Sequence, residues 1–379
     1  MTIPTAAAPT SGLRVVHLPA RTPYARKLHG PGIRALNTAP EPTEIRPGLV
    51  VPADVTASWI LDHTPLDWLD VLHLHHIDLE TPAVLERLLD ACATAGVRVV
   101  FTAHDTRPMF GGDSDGADAF ITRLRLFLAA DVPWICLTEG SRADLATLLG
   151  TEPPATVIPH GYVVPPDTLR HRERLPSTGV RTLLYGATRA NRDQTSPVVN
   201  WSLATSDPAH TLHLLLRAAS PADFTRTTPN PLPVILDTAR HDPRIRITMR
   251  PYPTDADVLD AALASDLLLL PYLWGTHSGQ LELAFDLALT PVCARVGHLP
   301  EQHRLHQRNG QAVPEPEWFD WTTGHPNLFG ERFLTALESA IARTAATPRR
   351  LDQDFLDYRT QEHKDVLTAH LALYEGGHR

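Results

Sequence analysis

The stretch LLLLPYLWGTHSGQLELAFDLALTPVCARVGHLPE, residues 267–301, decides the fold. The leucine run reads as a strand buried on both faces. WGTHSG (274–279) reads as a polar loop of small residues, the segment from Ser278 as a helix, and TPVCARVG (290–297) as a second strand. Strand, loop, helix and strand make a βαβ unit, which places its apolar strands in a parallel sheet covered by helices. A loop of small residues feeding a helix N-terminus presents backbone N–H groups at the positive end of a dipole, where a phosphate binds. Gly275, Thr276, His277, Ser278 and Gly279 are the candidates for that role.

The same rhythm extends outward in both directions. Candidate strands lie at 14–20, 70–76, 97–104, 134–139 and 155–161, and again at 181–187, 211–218, 244–250, 266–272 and 290–297, with helical stretches such as PAVLERLLDACATAG (82–96) between them. Between them GYVVPPDTLRHRERLPSTGV (161–180) has paired prolines, a charged patch and no sustained apolar period, which is how an interdomain linker reads. No repeat of 20–50 residues stands out, so the alternation means doubly wound domains rather than a solenoid. The expected fold class is α/β, with two Rossmann-like doubly wound domains facing a cleft. Their expected bounds are 1–165 for the first domain, 166–180 for the linker, 181–352 for the second domain and 353–379 for a C-terminal helix packing back on the first domain.

Composition bounds the function. A chain of 379 residues is too long for one ordinary core, and 43% hydrophobic with 20% charged residues describes a globular protein. A net charge of −9 argues against nucleic acid as a partner, because that affinity comes from clustered cations. Cys92, Cys136 and Cys293 are scattered without CxxC spacing, which fits a reducing compartment. The opening MTIPTAAAPTSG lacks the basic flank and apolar run of a signal peptide, and the most apolar stretch, 257–273, is too short and too acidic to span a membrane. A cytoplasmic protein is expected, and its oligomeric state stays open.

The segment 267–301, with its strand ending in Pro, Gly-containing loop, helix carrying Glu, P-V-x-A strand and Gly-x-x-Pro-Glu turn, resembles the donor site of retaining family-4 glycosyltransferases of the GT-B fold. TAHD (102–105), VIPHG (157–161) and DADVLDAALASDLLLLPY (255–272) are similar to other segments of that family, in order. The resemblance implies that Glu282 accepts hydrogen bonds from the nucleotide ribose. It also implies that GATRANR (186–192) clamps a diphosphate, with Gly186 ending the strand and Arg189 and Arg192 as the cations. Arg217, Arg250 and Tyr252 fall where the family meets the base or donor. His17, Arg21, Tyr24, His75 and His104 fall on the acceptor side, with His104 also a candidate for the chemistry. The implied co-substrate is a nucleoside diphosphate sugar, UDP-sugar foremost, with no cofactor and no essential metal. The family's first Glu is Trp274 here, which leaves open an unusual donor, a sugar contact from His277 or Thr276, or lost activity. The family's Gly-Gly loop after the first strand is replaced by PARTPYARKLHGPG (19–32), so that loop's role is not carried over.

Plainer readings stand beside these. Glu282 can be a helix carboxylate without a ligand, the loop glycines can serve turn geometry alone, and Arg189 and Arg192 can form a charged surface turn. His73 and His75 share a strand face, and with His76 they suggest a metal; with 20 histidines and no nearby Cys or paired carboxylate, a structural role is the favoured reading. His160 can line the cleft or be a satisfied histidine at the hinge. HSGQ lacks the first Gly of a GxSxG elbow, which removes a serine hydrolase. The expected function is glycosyl transfer to a small acceptor. The alternatives are a non-catalytic nucleotide-sugar-binding or partner protein, and a sugar phosphorylase or epimerase on the same fold.

Overall fold

The computed structural model describes residues 12–39, 41–78, 80–108, 114–172, 177–186, 191–218, 230–310, 313–321, 330–346 and 353–376. The chain divides into two compact units, one of residues 1–161 with 361–379 and one of residues 162–360.

The first unit is built on six parallel strands: β1 (Leu13–Leu18), β2 (Ile33–Ala35), β5 (Val71–Leu74), β6 (Arg98–Ala103), β7 (Trp134–Cys136) and β8 (Ala155–Val157). A separate antiparallel pair, β3 (Thr43–Arg46) and β4 (Leu49–Val51), lies between β2 and β5 in sequence. The sheet order is β2-β1-β5-β6-β7-β8, so the strand order reverses between β1 and β5. Side chains alternate between the faces. Val16, Leu18, Leu72, Leu74 and Phe101 enter one core with Phe127 and Trp134. Val15, Val71, Val100 and Ile135 enter the other, under Val366, Leu373 and Tyr374 of the C-terminal helix Gln353–Glu375. That second face turns polar toward the carboxyl ends, where His17, His73, His75 and Thr102 are all buried.

The second unit has β9 (Arg181–Gly186), β10 (Thr211–Arg217), β11 (Ile245–Arg250), β12 (Leu267–Leu270), β13 (Thr290–Ala294) and β14 (Glu317–Phe319), also parallel. Their order, β11-β10-β9-β12-β13-β14, is the Rossmann order, with the reversal between β9 and β12. Helix starts follow side-chain chemistry. Thr81, Thr138, Thr254 and Ser278 each accept a backbone N–H at an N-cap, and Gly96 and Gly150 close their helices in the left-handed region.

The amino ends of the strands that flank each reversal are pinned by the same device. Arg14 grips Asp70 at 3.0 and 2.7 Å beside β1 and β5. Arg181 grips Asp266 at 3.0 and 3.1 Å beside β9 and β12. Two-pronged Arg–carboxylate pairs fix geometry as well as charge. Among the described residues no helix is long and apolar enough to cross a membrane.

Candidate functional site

In open α/β sheets ligands bind beyond the carboxyl ends of the strands, where the strand order reverses. In the second unit that place lies at the ends of β9 and β12. The chain leaving β9 returns at Asn191–Asp193 and pairs with the chain leaving β12: Asp193 N donates to Pro271 O at 3.0 Å and Leu273 N to Asn191 O at 2.9 Å. Arg192 is held between the two strand ends. Its Nη1 donates to Tyr185 O at 3.1 Å, its Nη2 to the Tyr272 hydroxyl at 3.1 Å, and its guanidinium carbon lies 4.8 Å from the Tyr272 ring centroid. A guanidinium carries five donors, and Nε has no partner among the described residues. Gly186 permits this packing, since its φ is +131° and an added Cβ would lie 2.2 Å from Arg192 Nη1.

The loop after β12 enters the helix Gly279–Asp286 through Ser278, whose hydroxyl accepts Leu281 N at 3.1 Å and meets the Tyr272 hydroxyl at 2.8 Å. Gln280 Nε2 also donates to Tyr185 O, at 3.2 Å, so the helix start and the Arg192 guanidinium converge on one carbonyl. The loop backbone is closely packed. At Gly297 (φ +51°) an added Cβ would fall 1.9 Å from Gly275 O, and His298 N donates to Thr276 O at 2.9 Å. Gly275, Thr276, His277, Ser278 and Gly279 are consecutive at this helix start, which reaches Arg192 through the Tyr272 hydroxyl and Tyr185 O, and Thr276 and Ser278 are themselves buried.

Glu282 sits elsewhere on that helix. It is 2% exposed, and it accepts from Gln302 Nε2 at 2.8 Å, His306 Nε2 at 3.1 Å and Arg359 Nη2 at 2.8 Å. Fully buried Arg359 also donates to Asp286 at 2.9 Å, and Asp286 takes the N–H groups of Val163 and Val164 at 2.7 and 3.0 Å. Burial raises the Asp286 carboxyl above its ordinary value, opposed by Arg359 and the two N–H donors. Glu282, read from sequence as a ribose ligand, thus has a structural task here, tying its helix to Leu299–Arg308 and to the start of the C-terminal helix.

The remaining expected residues are dispersed. Arg217 and Arg250 end the neighbouring strands β10 and β11, two and three positions from β12 in the sheet order, and Arg217 lies 4.1 Å over the ring of exposed Tyr252. Arg250 faces Asp257 at 3.9 Å. Arg189 lies outside the described residues. In the first unit His17, His75 and Tyr24 are buried, so none of their rings presents an open face to an acceptor; exposed Arg21 pairs with Asp54 at 2.6 Å. His104 is half-buried, with its Nε2 3.3 Å from His75 Nδ1.

Tyr185, Asn191, Tyr272 and Gln280 were not singled out from the sequence, and Gln302, His306 and Arg359 were missed as partners of Glu282. Gln302 and His306 are four apart on one helix face, a signal that was legible. Arg359 is 77 residues from Glu282, and no local pattern joins them.

No protein-family profile matches the chain, and no curated protein sequence does. Solved structures do match. A sucrose-phosphate synthase from Thermosynechococcus elongatus is 13% identical with a TM-score of 0.57, over 97% of this chain and 98% of that one. A glycosyltransferase from Rickettsia africae is 10% identical with a TM-score of 0.60, over 96% and 98%. Anabaena HepE, solved in complex with UDP and glucose, is 12% identical with a TM-score of 0.54, over 94% and 100%. At these identities the likeness is one of fold: each unit is a parallel-sheet, Rossmann-like α/β domain of the kind found in GT-B glycosyltransferases.

Proposed function

We propose that this chain is a glycosyltransferase that moves a hexosyl group from a nucleoside diphosphate sugar to a small-molecule acceptor, with retention at the anomeric carbon. The observation that carries the reading is the Arg192 guanidinium, held over Gly186 at the β9/β12 reversal beside the start of the helix Gly279–Asp286. The whole-length likeness to glycosyltransferase structures, one of them solved with UDP and glucose, supports the same reading and makes UDP-sugars the first donors to test.

The chemistry follows from charge. When the bond from the anomeric carbon to the phosphate oxygen breaks, negative charge develops on the departing diphosphate. A preorganised cation and aimed N–H groups stabilise it more than they stabilise the bound substrate. Arg192 supplies the cation, its orientation fixed by Tyr185 O and the Tyr272 hydroxyl, and the start of the helix Gly279–Asp286 is the proposed source of N–H donors, Ser278 N being already given to Gln302 Oε1 at 3.0 Å. Arg189 is the proposed second cation. The acceptor hydroxyl or amine attacks from the side the diphosphate leaves, forms the new bond to the anomeric carbon, and passes its proton to the departing phosphate oxygen, so no side-chain base is required. His104 is the proposed acceptor-side group. Glu282 acts through the helix it anchors. A cytoplasmic biosynthetic setting belongs to the same proposal.

The test is turnover of a panel of UDP-, GDP-, ADP- and dTDP-sugars, read as release of nucleoside diphosphate with and without added acceptors. Release from one donor, reduced about 100- to 1000-fold in Arg192→Ala, is the expected result. Release that depends on free phosphate, or that proceeds to an isomerised sugar without acceptor, would point to a phosphorylase or epimerase instead. Nucleotide binding without turnover would point to a non-catalytic protein.

A further inference from the structure

The first unit has its own strand-order reversal, between β1 and β5, and the glycosyl-transfer reading leaves its contents unexplained. His17 on β1 and His73 on β5 are register partners, and His75 follows one residue beyond β5 on the same side. All three rings are buried. One nitrogen from each lies within 4.8 Å of the corresponding nitrogen of the other two. His17 Nδ1 and His75 Nε2 stand 2.9 Å apart, while His17 Nε2 has no hydrogen-bond partner among the described residues.

We propose that His17, His73 and His75 bind one divalent transition-metal ion of the Zn2+ class. Imidazole nitrogens suit Zn2+, Co2+, Ni2+ and copper, and a set with neither carboxylate nor carbonyl oxygen is a poor match for Ca2+ or Mg2+. Around a tetrahedral Zn2+ with Zn–N bonds of about 2.0–2.1 Å, ligand nitrogens lie roughly 3.3 Å apart. The widest pair in this cluster therefore closes by at most about 1.5 Å, within reach of ring rotation. Three histidines with a fourth position open to water is an arrangement that zinc proteins use.

The surroundings supply what the outer shell of such a site needs. His73 meets the Tyr374 hydroxyl through Nδ1 and the Thr102 hydroxyl through Nε2, each at 2.7 Å, so either nitrogen can ligate while the other stays anchored. His75 Nδ1 lies 3.3 Å from His104 Nε2, which leaves its Nε2 for the ion. The ion would cross-link β1, β5 and, through Tyr374, the C-terminal helix. It has no part in the diphosphate chemistry, and the proposal does not depend on the glycosyl-transfer reading.

The full-length chain, stripped by chelator, is titrated with Co2+ as an optical probe and then with Zn2+. One Co2+ per chain, with the intense visible bands of a four-coordinate ion displaced by Zn2+, is expected. His17→Asn and His75→Asn should each weaken binding about 100-fold or more, since even outer-shell changes cost 10- to 100-fold. His241→Asn, at a ring 74% exposed, should change nothing. Affinity unchanged in both cluster variants would assign the binding to surface histidines and overturn the proposal, as would the absence of visible bands at millimolar Co2+. If a variant fails to fold, the wild type decides. With histidine rings labelled by 15N, Zn2+ must shift the ring nitrogens of three solvent-protected histidines, and unchanged spectra would overturn the site.

Discussion

At the β9/β12 reversal the second unit presents a guanidinium on a glycine, a capped helix start and a loop of small residues. At the β1/β5 reversal the first unit presents three neutral imidazoles sealed beneath a helix. The amino ends of both pairs of strands are pinned alike, by Arg14–Asp70 and Arg181–Asp266. One architecture thus hosts two kinds of polar site, and the difference lies in how charge is handled. The second unit buries Arg359 with Glu282 and Asp286, where each charge depends on an opposite one. The first gathers His17, His73 and His75, rings that need no opposite charge beside them.

The largest consequence is in stability. Arg359→Ala leaves two carboxylates buried without their cation, and should lower unfolding free energy by about 3–5 kcal/mol in urea denaturation. Thr102→Val, which removes one partner of neutral His73, should cost the metal-free chain only about 1–3 kcal/mol. Equal losses would erase the distinction between charged and neutral burial.

A neutral histidine in the second unit extends the comparison. Burial pushes His303 down to about 4, with His306 and Arg304 adding to the shift and Glu282 opposing it; Glu315 lies 3.4 Å from its ring. The unfolded chain binds that proton near pH 6.5, so the contribution is fully present above about 6.5 and is lost progressively as pH falls toward 4, at up to about 1.4 kcal/mol per pH unit. Urea midpoints between pH 7 and 5 should fall less steeply in His303→Leu. Identical slopes would mean that His303 protonates in place.

The smallest effect marks the edge of the site. Tyr252→Ala removes the ring beneath Arg217 and should change nucleotide affinity by no more than about 0.5–1 kcal/mol, a few-fold by calorimetry. A loss as large as that of Arg192→Ala would move the centre of the site from β9/β12 toward β10 and β11.

The sequence announced most of this architecture through apolar runs. All ten strands expected from it are present, some a single residue shorter than expected and others, such as β8, markedly shorter. The strands it did not disclose, β2, β3, β4 and β14, have only three or four residues, and of these β4 alone, LVV, is wholly apolar. Loop 274–279 was legible because a strand end followed by small residues and a helix is a local pattern, whereas Arg192 was singled out only through the family resemblance, by its spacing from Gly186. Three things were not legible. The Arg359 contact joins distant segments, the pairing of Asn191–Asp193 with Pro271–Leu273 depends on two loops meeting, and the His17–His73 adjacency depends on strand register. Spacing on one strand therefore showed His73 and His75 without the third histidine that completes their cluster.

The most direct test of the account is calorimetric titration of UDP, GDP, ADP and dTDP into the wild-type chain and Arg192→Ala. The account predicts saturable binding of one nucleotide, weakened about 10- to 100-fold by the substitution, as expected for lost charge-assisted hydrogen bonds, with the thermal midpoint little changed. No binding by any of the four, or equal affinity in both chains, would contradict the assignment of the β9/β12 reversal as a nucleotide-sugar site.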